Sequence, residues 1–222
     1  MTRTEPGATR QAEALAGHGF EVFNAPVLRI EHLRSSAPDG CFDLTVFVSE
    51  HAVAAAFANG WQGSAAMAIG NAAHAALARR GQASTWPAQG SALDVADTLA
   101  DSVPGRTLVV KGAGGTDTLQ RWLESRGGTV VDWDVYRRVA NEPAITDESI
   151  DAIVAASGEG LRVIGQLWFA HGRDPKVPLL VPSERVSAIA ASAGFANVIT
   201  TDGAGPMVVV DALVRLRSEE GI

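Results

Sequence analysis

The chain has 222 residues, of which 46% are hydrophobic and 19% charged, and its formal net charge is −7. This composition excludes a disordered chain and allows one large domain or two small ones. The acidic balance, without any cluster of Lys and Arg, argues against a nucleic-acid binder and leaves room only for a local pocket of arginines.

The sequence predicts a cytoplasmic protein. The residues after Met1–Pro6 are not apolar, so we expect no signal peptide. No run approaches the roughly 18 apolar residues that a membrane span requires. Cys41 is the only cysteine, which fits a reducing compartment and predicts a packing residue rather than a nucleophile.

Short apolar runs alternate with helical patterns along nearly the whole chain. The predicted strands, rich in Val, Ile or Leu as buried parallel strands are, are Val22–Asn24, Leu44–Val48, Ala66–Ile69, Thr107–Val110, Thr129–Trp133, Ala152–Ala155, Val177–Val181 and Asn197–Thr200. The predicted helices are Arg10–Gly17, His51–Asn59, Ala72–Arg80, Ala92–Asp101, Asp117–Arg126, Leu161–Phe169, Glu184–Ala193 and Pro206–Leu216. Three of them end near Gly81, Gly127 or Gly194, where a left-handed residue is favoured. Repeated βα units predict a parallel sheet covered on both faces.

Two segments alternate apolar and polar residues, which is typical of strands exposed on one side. They are Pro26–Glu31 and Asp134–Val139. We expect them to form an antiparallel ribbon that joins two lobes. The predicted first lobe comprises residues 1–26 and 142–222, the second lobe residues 33–133, and the linker strands residues 27–32 and 134–141.

Two apolar strands end in a serine that opens a helix. One is Leu44–Ser49 and the other is Ala152–Ser157. Ligands of parallel sheets bind beyond the carboxyl ends of the strands, so both serines are candidate contacts. Serine is also a common N-cap, which is the alternative interpretation for each of them alone.

The remaining motifs argue against nucleotide and metal chemistry. Lys111–Thr116 follows a strand as a phosphate loop does, but Asp117 stands where the Rossmann pattern requires glycine, and the P-loop ending is absent. The exposed N–H groups of this loop can still receive a carboxylate. The five histidines show no metal-ligand spacing, and no Gly-x-Ser-x-Gly elbow occurs.

Tyr136 is the only tyrosine and lies in the second alternating segment, before Arg137 and Arg138. A hydroxyl on a strand that borders a cleft can donate a proton to a bound ligand. Simple packing of the ring is the alternative.

A series of short motifs, each weak alone, occurs in a specific order and spacing. They are Thr2-Arg3, Pro26-Val27-Leu28, Phe47-Val48-Ser49, Ala68-Ile69-Gly70, Gly112 with Leu119 and Leu123, Val135-Tyr136-Arg137, Ala156-Ser157, and Val181-Pro182-Ser183-Glu184-Arg185-Val186. Together they resemble the uroporphyrinogen-III synthase family over nearly the whole chain. The sequence departs from the family's pattern at Thr4, where proline is usual, and at Val48 and Ala73, where threonine is usual.

The resemblance implies two similar parallel-sheet, flavodoxin-like lobes joined by a two-stranded β-ribbon. It implies an enzyme that closes hydroxymethylbilane, a linear polycarboxylate tetrapyrrole, into uroporphyrinogen III without metal or cofactor, in the cleft between the lobes. Loss of water and inversion of ring D through a spiro intermediate are implied. We further expect a monomer that contacts hydroxymethylbilane synthase transiently.

The resemblance also assigns candidate site residues. Tyr136 is the candidate proton donor to the leaving hydroxyl. The candidate substrate-binding residues are Arg3, Ser49, Gly70, Gly112, Arg137, Ser157, Ser183 and Arg185.

Two other classes remain open on the sequence. One is a non-catalytic protein of the same fold that binds tetrapyrroles or other small ligands. The other is a two-lobed sugar or amino-acid binding module, although such modules usually carry an export signal.

Overall fold

The computed structural model of the chain describes residues 1–63, 65–86, 92–141, 143 and 149–220. Its helices are α1 (Gly7–Ala16), α2 (Glu50–Ala58), α3 (Asn71–Ala78), α4 (Ala92–Thr98), α5 (Thr118–Ser125), α6 (Gly158–Ala170), α7 (Glu184–Ala193) and α8 (Pro206–Glu220). Its strands are β1 (Leu28–His32), β2 (Leu44–Phe47), β3 (Ala66–Ala68), β4 (Arg106–Gly112), β5 (Thr129–Ala140), β6 (Ile153–Val154), β7 (Leu179–Val181) and β8 (Val198–Thr200). Within these ranges, every helix is too short or too polar to cross a membrane.

The chain forms two compact units. Unit 1 comprises Met1–Arg29 and Val139–Ile222, and unit 2 comprises Ile30–Arg138. Residue 142, where the sequence predicted that the first lobe resumes, lies outside the described residues. Each unit contains hydrophobic clusters of its own.

Unit 2 is built on a parallel sheet covered on both faces. Strands β5, β4, β2 and β3 lie side by side in that order, all parallel, and β1 borders β5. Alternate residues of a strand point to opposite faces. Phe47 of β2 therefore packs in one core with α2 and α3, whereas Val46 packs in the other with α4 and α5.

Unit 1 repeats this arrangement on a smaller sheet. Strands β6, β7 and β8 are parallel and adjacent in that order. Leu179 packs with α6 and α7 on one face, and Leu180 packs with α1 and α8 on the other. The predicted α/β class with parallel sheets is confirmed.

The predicted strand at Val22–Asn24 is wrong, because no regular strand forms there. The backbone of this segment makes two hydrogen bonds with Met1: the Met1 amino group donates to Phe23 O (2.9 Å), and Ala25 N donates to Met1 O (2.7 Å). The next residue, Thr2, donates to Val154 O instead. Met1 alone is too short a partner for a β-ladder with this segment.

A second difference concerns β5, where two predicted segments form one strand. Thr129–Trp133 and Asp134–Val139 are continuous because no turn residue separates them. By contrast, the three predicted left-handed glycines are confirmed: Gly81, Gly127 and Gly194 have φ angles of 72°, 84° and 104°.

Candidate functional site

The strand order of unit 2 reverses between β2 and β4. From β2 the chain goes to β3 on one side of the sheet, then returns to β4 on the other side. Ser49 follows the carboxyl end of β2, and Gly112 is the carboxyl end of β4. A crevice at such a reversal is the usual ligand site of an open α/β sheet.

Beside this strand reversal, two hydrogen bonds connect the amino terminus of α2 to Tyr136. Ser49 is the N-cap of α2, and its Oγ accepts from Ala52 N at 3.1 Å. The same hydroxyl donates to Tyr136 Oη at 3.1 Å. Since Tyr136 Oη accepts this bond, its own hydrogen is left to be donated elsewhere. The cap interpretation of Ser49 is confirmed, whereas its contact with a ligand stays a prediction.

Tyr136 lies on the buried side of its strand and is only 3% exposed. Its ring lies directly on Gly112, where a Cβ atom would come within 2.5 Å of Tyr136 Cε2. The pairing of β4 with β5 shifts by one residue between Lys111 and Gly112, and this shift places Tyr136 opposite the glycine. The bare backbone of Gly112 therefore makes the space for the ring.

His51 is a neighbour of Tyr136 that the sequence analysis did not select. It lies in the first turn of α2, and its ring centroid is 5.7 Å from that of Tyr136. Its position two residues after the candidate Ser49 is the signal that could have identified it.

Other predicted residues of unit 2 lie along the same edge of the sheet. Gly70 follows β3 and is the N-cap of α3, with a φ of 80°. Arg137 is exposed and pairs with Glu31, its Nη2 lying 2.7 Å from Oε2. Lys111, the first residue of the suspected phosphate loop, forms an ion pair with Asp132.

In unit 1, the candidate residues surround two helix N-termini. Ser157 caps α6 and accepts from Gly160 N at 3.1 Å, whereas Ser183 caps α7 by position without a side-chain bond. Arg185 Nη1 lies 3.9 Å from the place that a Cβ on Gly158 would occupy, beside the first turn of α6. Exposed N–H groups, helix dipoles and a guanidinium together favour an anion.

Arg3 lies elsewhere in unit 1. Its Nη1 donates to Ala204 O at 2.7 Å, in the turn that follows β8. The structure therefore brings the candidates together as Ser49, Gly112 and Tyr136 in one unit, and as Ser157, Ser183 and Arg185 in the other.

A family model described as "Uroporphyrinogen-III synthase HemD" matches residues 9–206. The chain belongs to the uroporphyrinogen-III synthase family. The resemblance read from its motifs is confirmed, and the chain is an enzyme of that family, which serves tetrapyrrole biosynthesis and acts on a small tetrapyrrole substrate.

Solved structures of uroporphyrinogen-III synthases share the fold at low sequence identity. The enzyme from Helicobacter pylori aligns with a TM-score of 0.65 at 9% identity, over 87% of this chain and 92% of that one. A mutant of the enzyme from Thermus thermophilus aligns with a TM-score of 0.57 at 12% identity, over 94% of both chains.

In unit 1 of this uroporphyrinogen-III synthase family member, a cavity lies away from Ser157, Ser183 and Arg185. It encloses about 710 Å³ in unit 1 at the amino end of β6, and its walls include Asp151, Trp168 and Leu213. Met1 also lines it, and burial lowers the pKa of its amino group to about 6. The carboxyl ends of the unit 1 strands, where these three residues lie, are at the opposite edge of the sheet.

The two serine caps of unit 1 allow a matched prediction. Ser157→Ala should lower the free energy of unfolding by about 1 kcal/mol, because the capping bond to Gly160 N is lost. Ser183→Ala should change it far less, because its side chain makes no capping bond. Urea denaturation of both variants checks this, and equal losses would contradict it.

Proposed function

We propose that this chain converts hydroxymethylbilane into uroporphyrinogen III, with loss of water and inversion of ring D through a spiro intermediate. The observation that carries the proposal is the Ser49–Tyr136 hydrogen bond at the strand reversal of unit 2, in a chain that belongs to this enzyme family.

Tyr136 supplies the proton in this proposal. Its O–H hydrogen passes to the hydroxyl group, which leaves as water when its C–O bond breaks, and the remaining tetrapyrrole becomes an electrophilic azafulvenium cation. Negative charge then develops on Tyr136 Oη, where the Ser49 hydroxyl already donates a hydrogen bond at 3.1 Å. A donor that is in place before the charge appears stabilises it without reorganisation. The proton that the ring carbon loses on closure returns to Tyr136 Oη.

The carboxylates of the substrate are bound by backbone N–H groups and arginines. Ser157, Ser183 and Arg185 surround the N-termini of α6 and α7, where anions are favoured. Gly70 opens α3 in the same way. The candidate arginines Arg3 and Arg137 provide local positive charge in a chain whose net charge is −7.

The energetic demand on such an enzyme is small. Hydroxymethylbilane closes spontaneously to the isomer without inversion, so the enzyme has only to favour one closure over another. A hundredfold preference corresponds to about 2.7 kcal/mol between the two barriers. Orienting reacting groups can contribute roughly 7–11 kcal/mol. Positioning the flexible linear tetrapyrrole is therefore sufficient to produce this preference.

The proposed fold is two flavodoxin-like lobes joined by the ribbon of residues 27–32 and 134–141, with the lobe boundaries predicted from the sequence. The order β3-β2-β4-β5 follows the 2-1-3-4 order of flavodoxin-like sheets. In the ribbon segments, Leu33 N donates to Val135 O and Asn141 N donates to Val27 O. We also propose a cytoplasmic monomer that receives substrate through transient contact with hydroxymethylbilane synthase, and sedimentation as a single chain checks the monomer.

A coupled assay tests the proposed reaction. Hydroxymethylbilane is generated by its own synthase, the purified protein is added, and the oxidised isomers I and III are separated by chromatography. Isomer III should exceed isomer I in proportion to the protein added. Isomer I alone, with tetrapyrrole binding retained, would indicate a non-catalytic binding protein instead.

A further inference from the structure

Gln11 is a buried side chain whose polar atoms have no described partner. It lies in α1 with 0% exposure. Among the residues that the structure describes, neither Gln11 Nε2 nor Oε1 has a hydrogen-bond partner. Buried amides are nearly always satisfied in folded proteins, so an unsatisfied one requires a reason.

The same residue lines a recess at the carboxyl edge of the sheet in unit 1. The recess is narrow and partly open to solvent. Its walls come from the ends of β6 and β7 and from the turn after β8, and they include Val154, Val181, Thr201 and Ala204. Ligands of parallel sheets bind at this edge.

The polar side chains in and around this recess determine which ligand it can bind. The hydroxyl of Thr201 is already committed to Val181 O (3.1 Å) and Gly203 O (2.8 Å). Gln11 therefore provides a free amide donor and acceptor inside the recess. At its rim, the guanidinium of Arg3 bonds Ala204 O at 2.7 Å, which adds positive charge.

We propose that Gln11 binds one carboxylate arm of the tetrapyrrole, with Nε2 donating the hydrogen bond and Arg3 providing charge at the rim. This inference rests on the proposed function for the identity of the ligand. The recess as it stands has no room for a whole water molecule, so the turn at Thr201–Ala204 has to move outward when the arm enters.

Gln120 provides a matched control. It is also a buried glutamine, 6% exposed, but its Nε2 donates to Asp132 Oδ1 at 3.0 Å in unit 2. Gln11→Met should leave the denaturation midpoint unchanged or raise it, because an unsatisfied amide is removed. Gln120→Met should lower the midpoint, because a satisfied bond is lost.

The kinetic test compares both variants in the coupled assay. Gln11→Met should raise the KM for hydroxymethylbilane at least tenfold with a smaller change in kcat, whereas Gln120→Met should leave KM unchanged. An unchanged KM for Gln11→Met, in a wild-type protein that does form isomer III, would overturn the inference alone. Absence of isomer III from the wild type would instead count against the proposed function.

A second measurement does not depend on a variant that folds or on turnover. Uroporphyrin III, the oxidised polycarboxylate product, is titrated into the wild-type protein while the side-chain amide signals are followed by ¹⁵N NMR. The Gln11 amide pair should shift in a saturable manner, and the Gln120 pair should not. Binding of uroporphyrin without any shift of the Gln11 pair would overturn the inference.

Discussion

Tyr136→Phe is expected to slow the formation of uroporphyrinogen III about a hundredfold, near the lower end of what a positioned general acid contributes. The variant loses the hydroxyl that accepts from Ser49 and keeps the ring that lies on Gly112. Some activity should remain, because orientation of the substrate does not depend on this hydroxyl. Initial rates of isomer III formation measure the effect.

Thr107→Val is the matched control for that experiment. Thr107 lies in β4 of the same unit, and its Oγ1 is buried without a partner among the described residues. Deleting this hydroxyl should leave both the rate and the stability near those of the wild type. If Tyr136→Phe also forms isomer III at the wild-type rate, Tyr136 is not the proton donor.

Gly112→Ala should disturb the site more severely than the loss of one hydroxyl. The new Cβ would lie 2.5 Å from Tyr136 Cε2 and 2.6 Å from Cζ, so the ring has to move. Because the ring is buried, the overpacking should lower the free energy of unfolding by about 1–3 kcal/mol. Isomer III formation should fall at least as far as in Tyr136→Phe.

Denaturation curves and a double-mutant cycle identify the cause of that loss. In a Tyr136→Ala background the clash disappears, so Gly112→Ala should cost less than it does in the wild type. Gly17→Ala is the control: this glycine has helical angles, and a Cβ there meets nothing closer than 3.5 Å. Equal costs of Gly112→Ala in both backgrounds would exclude the ring as the reason.

Local patterns predicted most of the fold. The bounds of α7, Glu184–Ala193, match the prediction because both of its signals are local, a capping position at Ser183 and a left-handed glycine at Gly194. The apolar run that predicted β2 was correct to one residue for the same reason. The failure at Val22–Asn24 arose where strand formation depends on a partner segment far along the chain.

The candidate site was less accessible from the sequence. A serine after a strand is visible locally, and Ser49 was found that way. The burial of Tyr136 depends on a shift in pairing between β4 and β5 and on a glycine 24 positions earlier, which no local pattern reveals. The unsatisfied amide of Gln11 likewise emerges only when two strands and a distant turn enclose it.

The division of the chain into units has a consequence for its synthesis on the ribosome. Unit 2 is one uninterrupted stretch, whereas unit 1 needs both Met1–Arg29 and Val139–Ile222. Leu15 of α1 packs with α8, which is made after unit 2. At roughly 5–20 residues per second, the nascent α1 must wait on the order of ten seconds after unit 2 has emerged. A chaperone can bind the exposed apolar face of α1 during that interval.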